Sequence, residues 1–352
     1  MRIAQAMLGK GFGGAERSFV DLSRALVQRG HDVLAICETR AEARKHVAAI
    51  EGITCATVTV RGPWDPLARW QLRRLLADYR PAIAQMHLAR AANLAGPAAR
   101  SLAIPTLAKT HNYVNPKYYR AIDHLVATTR KQHDYLLDQG IAARIVSIIP
   151  NFSSIAPRSH AARIESGTLR AVAIGRMVHK KGFDVLFDAV ARARASGISV
   201  QLALAGDGPE SDALHDQLAA LGLREAVTFL GWQQDVTTCL DAADVFVLPS
   251  RDEPFGIVCL EAMACGIPII ATTTDGPVSV LDDTTAILVP PDDADALARG
   301  LCEVARDGAA AMARAGAAQQ RFETRYSEAV VVAEYLDLYA RLTGVSDETA
   351  PG

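Results

Sequence analysis

At 352 residues, half of them hydrophobic, the chain is long enough for two domains with a core each. No apolar run approaches the roughly 20 residues of a membrane span, and the first strand-like run begins at Met1, so a cytoplasmic globular protein without a signal peptide is expected. The net charge is only −2, which gives no general attraction to nucleic acid, but residues 1–150 hold 21 Lys+Arg against 11 Asp+Glu and the rest 16 against 28; the +10 half is expected to meet something anionic, or to carry a solvated arginine-rich surface.

Strand-like apolar runs alternate with helical stretches nearly throughout. The first half offers RIAQAML (2–8), DVLAIC (32–37), TCATVTV (54–60), AIAQMHL (82–88), PTLAK (105–109) and HLVATT (124–129). Helical periodicity fills the gaps, as in AERSFVDLSRALVQRG (15–30). Gly9, Gly11 and Gly14 follow the first run as G-x-G-x-x-G, and Glu38 ends the second, where a ribose-binding acid would sit; the pattern fits a dinucleotide-binding dehydrogenase. By itself it means less. Glycines let backbone amides approach an anion at a helix N-terminus, where a nucleotide diphosphate serves as well as NAD, and a ligand-free turn would use the same residues.

The segment RGPWDPLARWQLRRLLADYR (61–80) interleaves Trp64, Trp70 and Tyr79 with arginines, and NYVNPKYYR (112–120) follows His111. Arginines among aromatic rings suit a surface that meets lipid phosphates. Equally, Leu72, Leu75, Leu76 and Tyr79 read as the core face of a crossover helix, with Arg69, Arg73 and Arg80 on its wet side. The Pro/Ser-rich stretch at 148–167 reads as a linker, which divides the chain into domains at 1–150 and 151–326.

The second half repeats the alternation with RAVAIG (170–175), VQLALAG (200–206), AVTFLG (226–231), DVFVLP (244–249) and IPIIAT (267–272). Two sets of five or six buried parallel strands with helices on both faces predict two doubly wound α/β domains. Ligands of such sheets bind beyond the carboxyl ends of the strands. There the chain places Arg176 with Lys181-Gly182, then Gly206-Asp207-Gly208-Pro209, then Leu230-Gly231-Trp232, then Ser250-Arg251 and EPFGIVCLE. Two cations, two glycine-rich turns and two carboxylates on one edge suit a nucleotide with a charged diphosphate and a hydroxylated sugar. A helix opening near Gly256 puts Glu253 and Glu261 on the order of 10–12 Å apart. That is long for a glycosidase pair, which wants roughly 5–9.5 Å. It suits two grips on one ligand, with the free amides of Phe255, Gly256 and Ile257 between them for phosphate oxygens. The only D-x-D, Asp293-Ala-Asp295, reads as the first turn of a helix. The six cysteines have neither zinc nor redox spacing and read as reduced core thiols, and the last dozen residues read as a frayed tail.

In these residues the chain resembles family 4 of the retaining GT-B glycosyltransferases. The resemblance rests on Gly13-Gly14-Ala15-Glu16, Thr110-His111-Asn112, Gly175-Arg176, Lys181-Gly182, Gly206-Asp207-Gly208-Pro209, Phe229-Leu230-Gly231 and SRDEPFGIVCLEAMACGIP. It implies two Rossmann-like domains facing across a cleft, with a C-terminal helix, about 327–345, crossing back onto the N-domain. It implies that Arg176 and Lys181 hold the donor diphosphate. Glu253 bonds hydroxyls of the donor sugar, helped by the amides of Phe255 and Gly256, and Glu261 binds the ribose. Gly13 and Gly14 offer amides to the diphosphate or acceptor side, Gly208 and Leu230 backbone groups to the base, and His111 lies near the reacting sugar. It also implies transfer with retention, from a UDP-sugar before a GDP-sugar, to a glycan or glycolipid, with no metal or other cofactor. A bacterial envelope glycan such as a lipopolysaccharide core, made at the inner face of the cytoplasmic membrane, is the expected product. Two departures put the sugar's identity in question: Pro254 replaces a glycine, and Asp275-Gly276-Pro277 replaces a Gly-Gly pair. A UDP-sugar 2-epimerase-like isomerase and a non-catalytic sugar-nucleotide-binding protein are the alternative readings.

Overall fold

A computed structural model describes residues 1–160 and 167–345. The chain forms two units, Met1–Phe152 with the segment from Glu328, and Ser153–Ser327.

The first unit runs β1 (Arg2–Met7), α1 (Gly14–Gln28), β2 (Asp32–Glu38), α2 (Ala43–Ala48), β3 (Thr54–Val58), α3 (Pro66–Tyr79), β4 (Ile83–His87), α4 (Leu88–Arg100), β5 (Thr106–Thr110), β6 (His124–Ala127), α5 (Arg130–Asp138) and β7 (Val146–Ile148). Its seven strands are all parallel, in the order β3-β2-β1-β4-β5-β6-β7, with the order reversing between β1 and β4. The second unit runs β8 (Thr168–Ile174), α6 (Phe183–Ala195), β9 (Ser199–Ala205), α7 (Ser211–Ala220), β10 (Val227–Gly231), α8 (Thr237–Asp241), β11 (Val245–Leu248), α9 (Ile257–Ala264), β12 (Ile269–Thr272), α10 (Pro277–Val280), β13 (Ile287–Val289), α11 (Ala294–Arg306) and α12 (Gly308–Arg325). Its sheet is also parallel, in the order β10-β9-β8-β11-β12-β13, and reverses between β8 and β11. A final helix, α13 (Glu328–Thr343), belongs to the first unit: Val331, Val332, Tyr335, Leu338 and Tyr339 join Ile3, Leu22, Ile83, Leu107 and Val126 in one core.

Local chemistry sets the elements. Asp65 caps α3 through the amides of Leu67 and Ala68, with Pro66 at the first helical position, where its missing N–H costs nothing. That helix buries Ala68, Leu72 and Leu76, so its inner face is an ordinary crossover core, while Trp64, Leu67 and Trp70 remain exposed. Tyr79 is no part of that apolar surface, because it lies beneath the Arg2 guanidinium, 4.5 Å from ring centroid to Cζ. Asp293 caps α11 through the amide of Ala296, and Asp295 pairs with Arg192.

Three sequence expectations change. The sheets have seven and six strands, because β7 and β13 are three-residue edge strands too short to show a period of two. The stretch from 149 to 160 is anchored rather than loose: Ile149 and Phe152 lie in the first unit's core, and Arg158 bonds through its backbone to Ala264 and Gln319. The rest of that linker, 161–166, lies outside the described residues. Helix α13 takes in Leu342 and Thr343 of the expected tail, whose residues 346–352 also lie outside. The six cysteines are free thiols, five of them buried.

Candidate functional site

In the second unit the four loops at the carboxyl edge are bonded backbone to backbone. Gly175 N donates to Ala205 O, Met177 N to Asp207 O and Glu210 N to Met177 O, joining the loops after β8 and β9. Gly206 N donates to Gly231 O, which adds the loop after β10. The amides of Arg251 and Asp252 both donate to Lys180 O, and Gly276 N donates to Glu253 O. Glycine is required where these chains meet. A Cβ on Gly206 would lie 1.9 Å from Gly175 O, on Gly208 2.3 Å from Met177 O, on Gly182 2.2 Å from Pro249 O and on Gly276 2.5 Å from Phe255 backbone atoms. Gly182 and Gly206 also have positive φ, 65° and 138°.

This scaffold fixes the charged groups. Lys181 ends a 3-10 turn, His179–Lys181, and its Nζ lies 2.5 Å from Glu253 Oε2. Both side chains are largely buried, at 15 % and 11 % exposure. The sequence reading gave these residues separate ligands; the structure makes them one ion pair. Arg176 is exposed and has no side-chain hydrogen bond or ion pair among the described residues. Its guanidinium is therefore available to an anion. Gly256, at φ 79°, is the N-cap of α9, and no side chain caps that helix. The amides of Phe255, Gly256 and Ile257 have no protein acceptor among the described residues. Glu261 lies one and a half turns inside α9 at 1 % exposure, among Cys259, Leu260, Ala262 and Met263, all fully buried. Gly208 N already bonds Asp207 Oδ1, and Leu230 O accepts from Gln233 Nε2 at 2.7 Å, so any base contact there exchanges with these bonds.

Arg251 is a residue whose role the sequence did not disclose. It is bidentate to Asp184, reaches Asp292 and donates to His179 O at 2.8 Å. These partners hold it firmly protonated, the hydrogen-bonded Asp184 carboxylate foremost. It ties the turn carrying Lys181 to the loop carrying Glu253 and to the first turn of α6.

In the first unit, Gly13 is the N-cap of α1 and Gly14 its first residue. The Glu16 carboxylate folds back over this end: Oε2 accepts from Gly13 N at 3.1 Å, and a Cβ on Gly9 would lie 2.6 Å from Oε1. An anion arriving here meets the chain's own carboxylate. Glu38 is buried and accepts from Arg40 N at 2.5 Å.

His111 follows β5 at the same carboxyl edge, 9 % exposed, its Nε2 3.3 Å from His87 Nδ1. Burial, then the charge of Lys109, holds His87 well below the usual imidazole range. Burial, then Lys109, then His87, does the same to His111. Lys109 itself is wholly buried and pushed down to about 7, against some pull from Asp21. Its Nζ donates to Ser18 Oγ at 3.0 Å and lies 5.4 Å from the Tyr335 ring centroid. Sequence reading found His111 but not Gln5, Gln85, His87, Lys109 or Tyr339 around it.

Two doubly wound parallel units, with phosphate-suited loops and paired charges at the switch point of the second, define a GT-B glycosyltransferase. The chain belongs to glycosyltransferase family 4: its residues 12–155 match that family's model, and residues 168–307 match the model described as Glycosyl transferases group 1. It is 31 % identical over 338 residues to the lipopolysaccharide core biosynthesis glycosyltransferase LpsD of Rhizobium meliloti strain 1021, covering 94 % of this chain and 95 % of that one. It is 29 % identical to LpsE of the same strain, covering 97 % and 99 %. Among solved structures it resembles Anabaena HepE, crystallised with UDP and glucose, at a TM-score of 0.83 and 20 % identity over 97 % of this chain and 100 % of that one, which shows a shared fold.

Proposed function

We propose that this glycosyltransferase moves a hexose from a UDP-sugar, with GDP-sugars the second choice, to a hydroxyl of a glycolipid acceptor in lipopolysaccharide core assembly. The observation that carries the donor half is the Lys181–Glu253 pair beside the three unbonded amides of Phe255, Gly256 and Ile257. A pyrophosphate accepts from those amides and from Arg176 and Lys181. Glu253, its second oxygen left over from the ion pair, accepts from sugar hydroxyls, and Glu261 takes the ribose. The UDP bound to HepE supports the base, and the similarity to LpsD and LpsE supports the product.

Reaction proceeds with retention, the acceptor attacking from the face the leaving group departs. The protein's part is to position the reactants and to neutralise charge on the departing diphosphate. Arg176, Lys181 and the amides at the start of α9 supply that neutralisation without a metal. Among the described residues no helix is long and apolar enough to cross a membrane. The exposed Trp64, Leu67 and Trp70 beside Arg73 and Arg74 support contact with an anionic cytoplasmic leaflet, where such an acceptor is anchored.

The test is transfer from UDP- and GDP-sugars to truncated lipopolysaccharide, with and without a chelator, reading the anomeric configuration of the product by NMR. A retained anomer formed from a UDP-sugar in chelator is the expected result. A new nucleotide sugar formed without acceptor, an inverted anomer, or dependence on a divalent ion would each overturn its part of the reading.

A further inference from the structure

The inner face of the first unit's sheet is apolar at one end and polar at the other. Ile3, Ile83, Leu107 and Val126 give way, two to four residues along the strands, to Gln5, Gln85, His87, Lys109 and His111. All five polar residues are buried. Helix α13 covers them with Tyr335 and Tyr339. We infer that this layer has a fixed proton order, which makes His111 a hydrogen-bond acceptor through Nδ1, with Gln5, His87 and Tyr339 as its positioning residues.

The order starts at Tyr339, whose hydroxyl has one proton. It gives that proton to Gln85 Oε1, a carbonyl oxygen that can only accept. The hydroxyl oxygen then accepts from Gln5 Nε2 at 3.3 Å. Gln5 therefore turns its Oε1 to His87 Nε2, 2.7 Å away, and that nitrogen must carry the proton. Reversing the Gln85 amide would leave this proton where it is, because an oxygen would then replace the Gln85 nitrogen 3.3 Å from His87 Nε2. Only reversing both glutamines would move it, and that would turn a short N–H···O bond into an N–H···N contact at a distance suited to oxygen.

With Nε2 protonated and the ring neutral, His87 Nδ1 holds a lone pair. Its neighbour at 3.3 Å, His111 Nε2, must then be the donor. His111 is neutral as well, since a second proton would be buried beside the Lys109 ammonium. What remains on His111 is the Nδ1 lone pair, with no partner among the described residues. Leu88, next to His87, stands at φ 66°, a conformation that costs a non-glycine residue on the order of 1–2 kcal/mol, so the end of β4 is held in place against local preference.

A nitrogen that can only accept selects its ligand. It takes a hydrogen bond from a hydroxyl and rejects a carbonyl, ring oxygen or phosphate oxygen. It cannot act as a general acid. On the glycosyltransferase reading of the preceding section, on which only this last step rests, the ligand is a hydroxyl of the sugar being transferred.

Long-range proton–nitrogen NMR spectra of the ligand-free protein labelled with 15N-histidine test the order directly, with His111→Asn used only to assign the signals. His87 and His111 are expected as neutral Nε2–H tautomers at neutral pH. In His87→Phe the acceptor for His111 is gone, so His111 becomes a mixture of tautomers and turnover falls about tenfold, the value of one neutral hydrogen bond. In His87→Gln the amide oxygen accepts instead, and both tautomer and turnover return. A wild-type His111 protonated on Nδ1, or on both nitrogens, overturns the inference whether or not the variants fold. A His87→Phe protein whose His111 stays wholly Nε2–H removes His87 from the positioning role. Because the tautomer is read without nucleotide, failure of the UDP-sugar reading shows separately, as absent donor binding.

Discussion

Lys181 Nζ and Glu253 Oε2 stand 2.5 Å apart with both side chains mostly out of solvent, so each is the other's counter-ion before any ligand arrives. Removing one partner leaves the other as a poorly solvated charge, which costs about 1–3 kcal/mol beyond the lost attraction. A single substitution at either position therefore mixes a loss of stability with a loss of catalysis. The double-mutant cycle separates them. Lys181→Met and Glu253→Gln are each expected to lower Tm, and the double variant to recover most of it, because no lone charge remains. Turnover is not expected to recover: each variant should lose roughly 10²–10³-fold, the scale for one stabiliser of developing charge. Thermal unfolding and steady-state rates on the same four proteins check this. Near-normal turnover of Lys181→Met at saturating donor would leave Lys181 a structural cation only.

The glycines of the loop scaffold divide by what surrounds them. Gly206→Ala and Gly208→Ala push a methyl into the Gly175 and Met177 carbonyls, which belong to a bonded loop and cannot retreat. Gly231→Ala meets nothing within 4 Å and carries only the cost of φ 67° in a residue with a Cβ. The first two are expected to abolish thermal stabilisation by UDP, and Gly206→Ala to unfold the second unit. Gly231→Ala should cost about 1 kcal/mol and keep UDP binding. Equal effects at 206 and 231 would mean that backbone conformation, not loop contact, is what these positions require.

How far the sequence reads correctly depends on scale. The alternation of strand and helix suffices for the two sheets, since buried parallel strands of four to seven residues stand out as apolar runs. The three-residue β7 and β13 do not, because their place is set by the neighbouring strand rather than by a pattern of their own. Loop chemistry at Arg176, Lys181, Gly206-Asp207-Gly208 and EPFGIVCLE was legible as residue types. The Lys181–Glu253 pairing was not, since it joins positions 72 apart. Nor was the polar layer beneath α13. One signal was present: Ile-Ala-Gln occurs at 3–5 and again at 83–85, and the two copies pair in register, Ile3 with Ile83 and Gln5 with Gln85. A glutamine at the same depth of two adjacent central strands foretells a buried polar partner, here Tyr339, supplied by a helix more than 250 residues further on.

Lys109 gives the fold a pH dependence with a defined sign. Its ammonium is pushed down to about 7 by burial, from an ordinary 10.5. Between those values the unfolded chain holds a proton that the folded chain lacks, so stability rises with pH across that window. Below about pH 7 both states are protonated at this residue and its cost is constant, on the order of 4 kcal/mol. His87 and His111, depressed in the fold, act lower down: stability falls as pH drops below the usual imidazole value of 6.5, where only the unfolded chain takes up their protons. Lys109→Met keeps the buried stem and removes the charge. Its denaturant midpoints are expected to exceed wild type at neutral pH and to converge with it towards pH 10. A constant offset across that range would mean that Lys109 is not neutralised by folding.

The outer face of α3 makes the last prediction. Trp64, Leu67 and Trp70 are 69 %, 57 % and 58 % exposed, although such side chains are usually covered. Arg73 and Arg74 lie on the same helix, exposed, with Arg74 over the Trp70 ring at 5.9 Å. The helix has a separate core face in Ala68, Leu72 and Leu76, so the tryptophans are free for another surface without loss of the fold. Rings that sit at headgroup level and arginines that meet lipid phosphates bind by different forces, and the two can be separated. Trp64→Ala with Trp70→Ala should weaken attachment to anionic and neutral vesicles alike. Arg73→Gln with Arg74→Gln should weaken only the anionic case, by about 1 kcal/mol per residue at low salt, an effect screened within a Debye length of about 10 Å at 0.1 M. Both double variants should keep wild-type Tm and wild-type turnover on a water-soluble acceptor fragment, and lose turnover on acceptor embedded in vesicles. Co-sedimentation and rates on the two acceptor forms check each arm. Undiminished vesicle binding in both double variants would move the attachment surface away from α3; wild-type protein that binds no vesicle at low salt would remove it altogether.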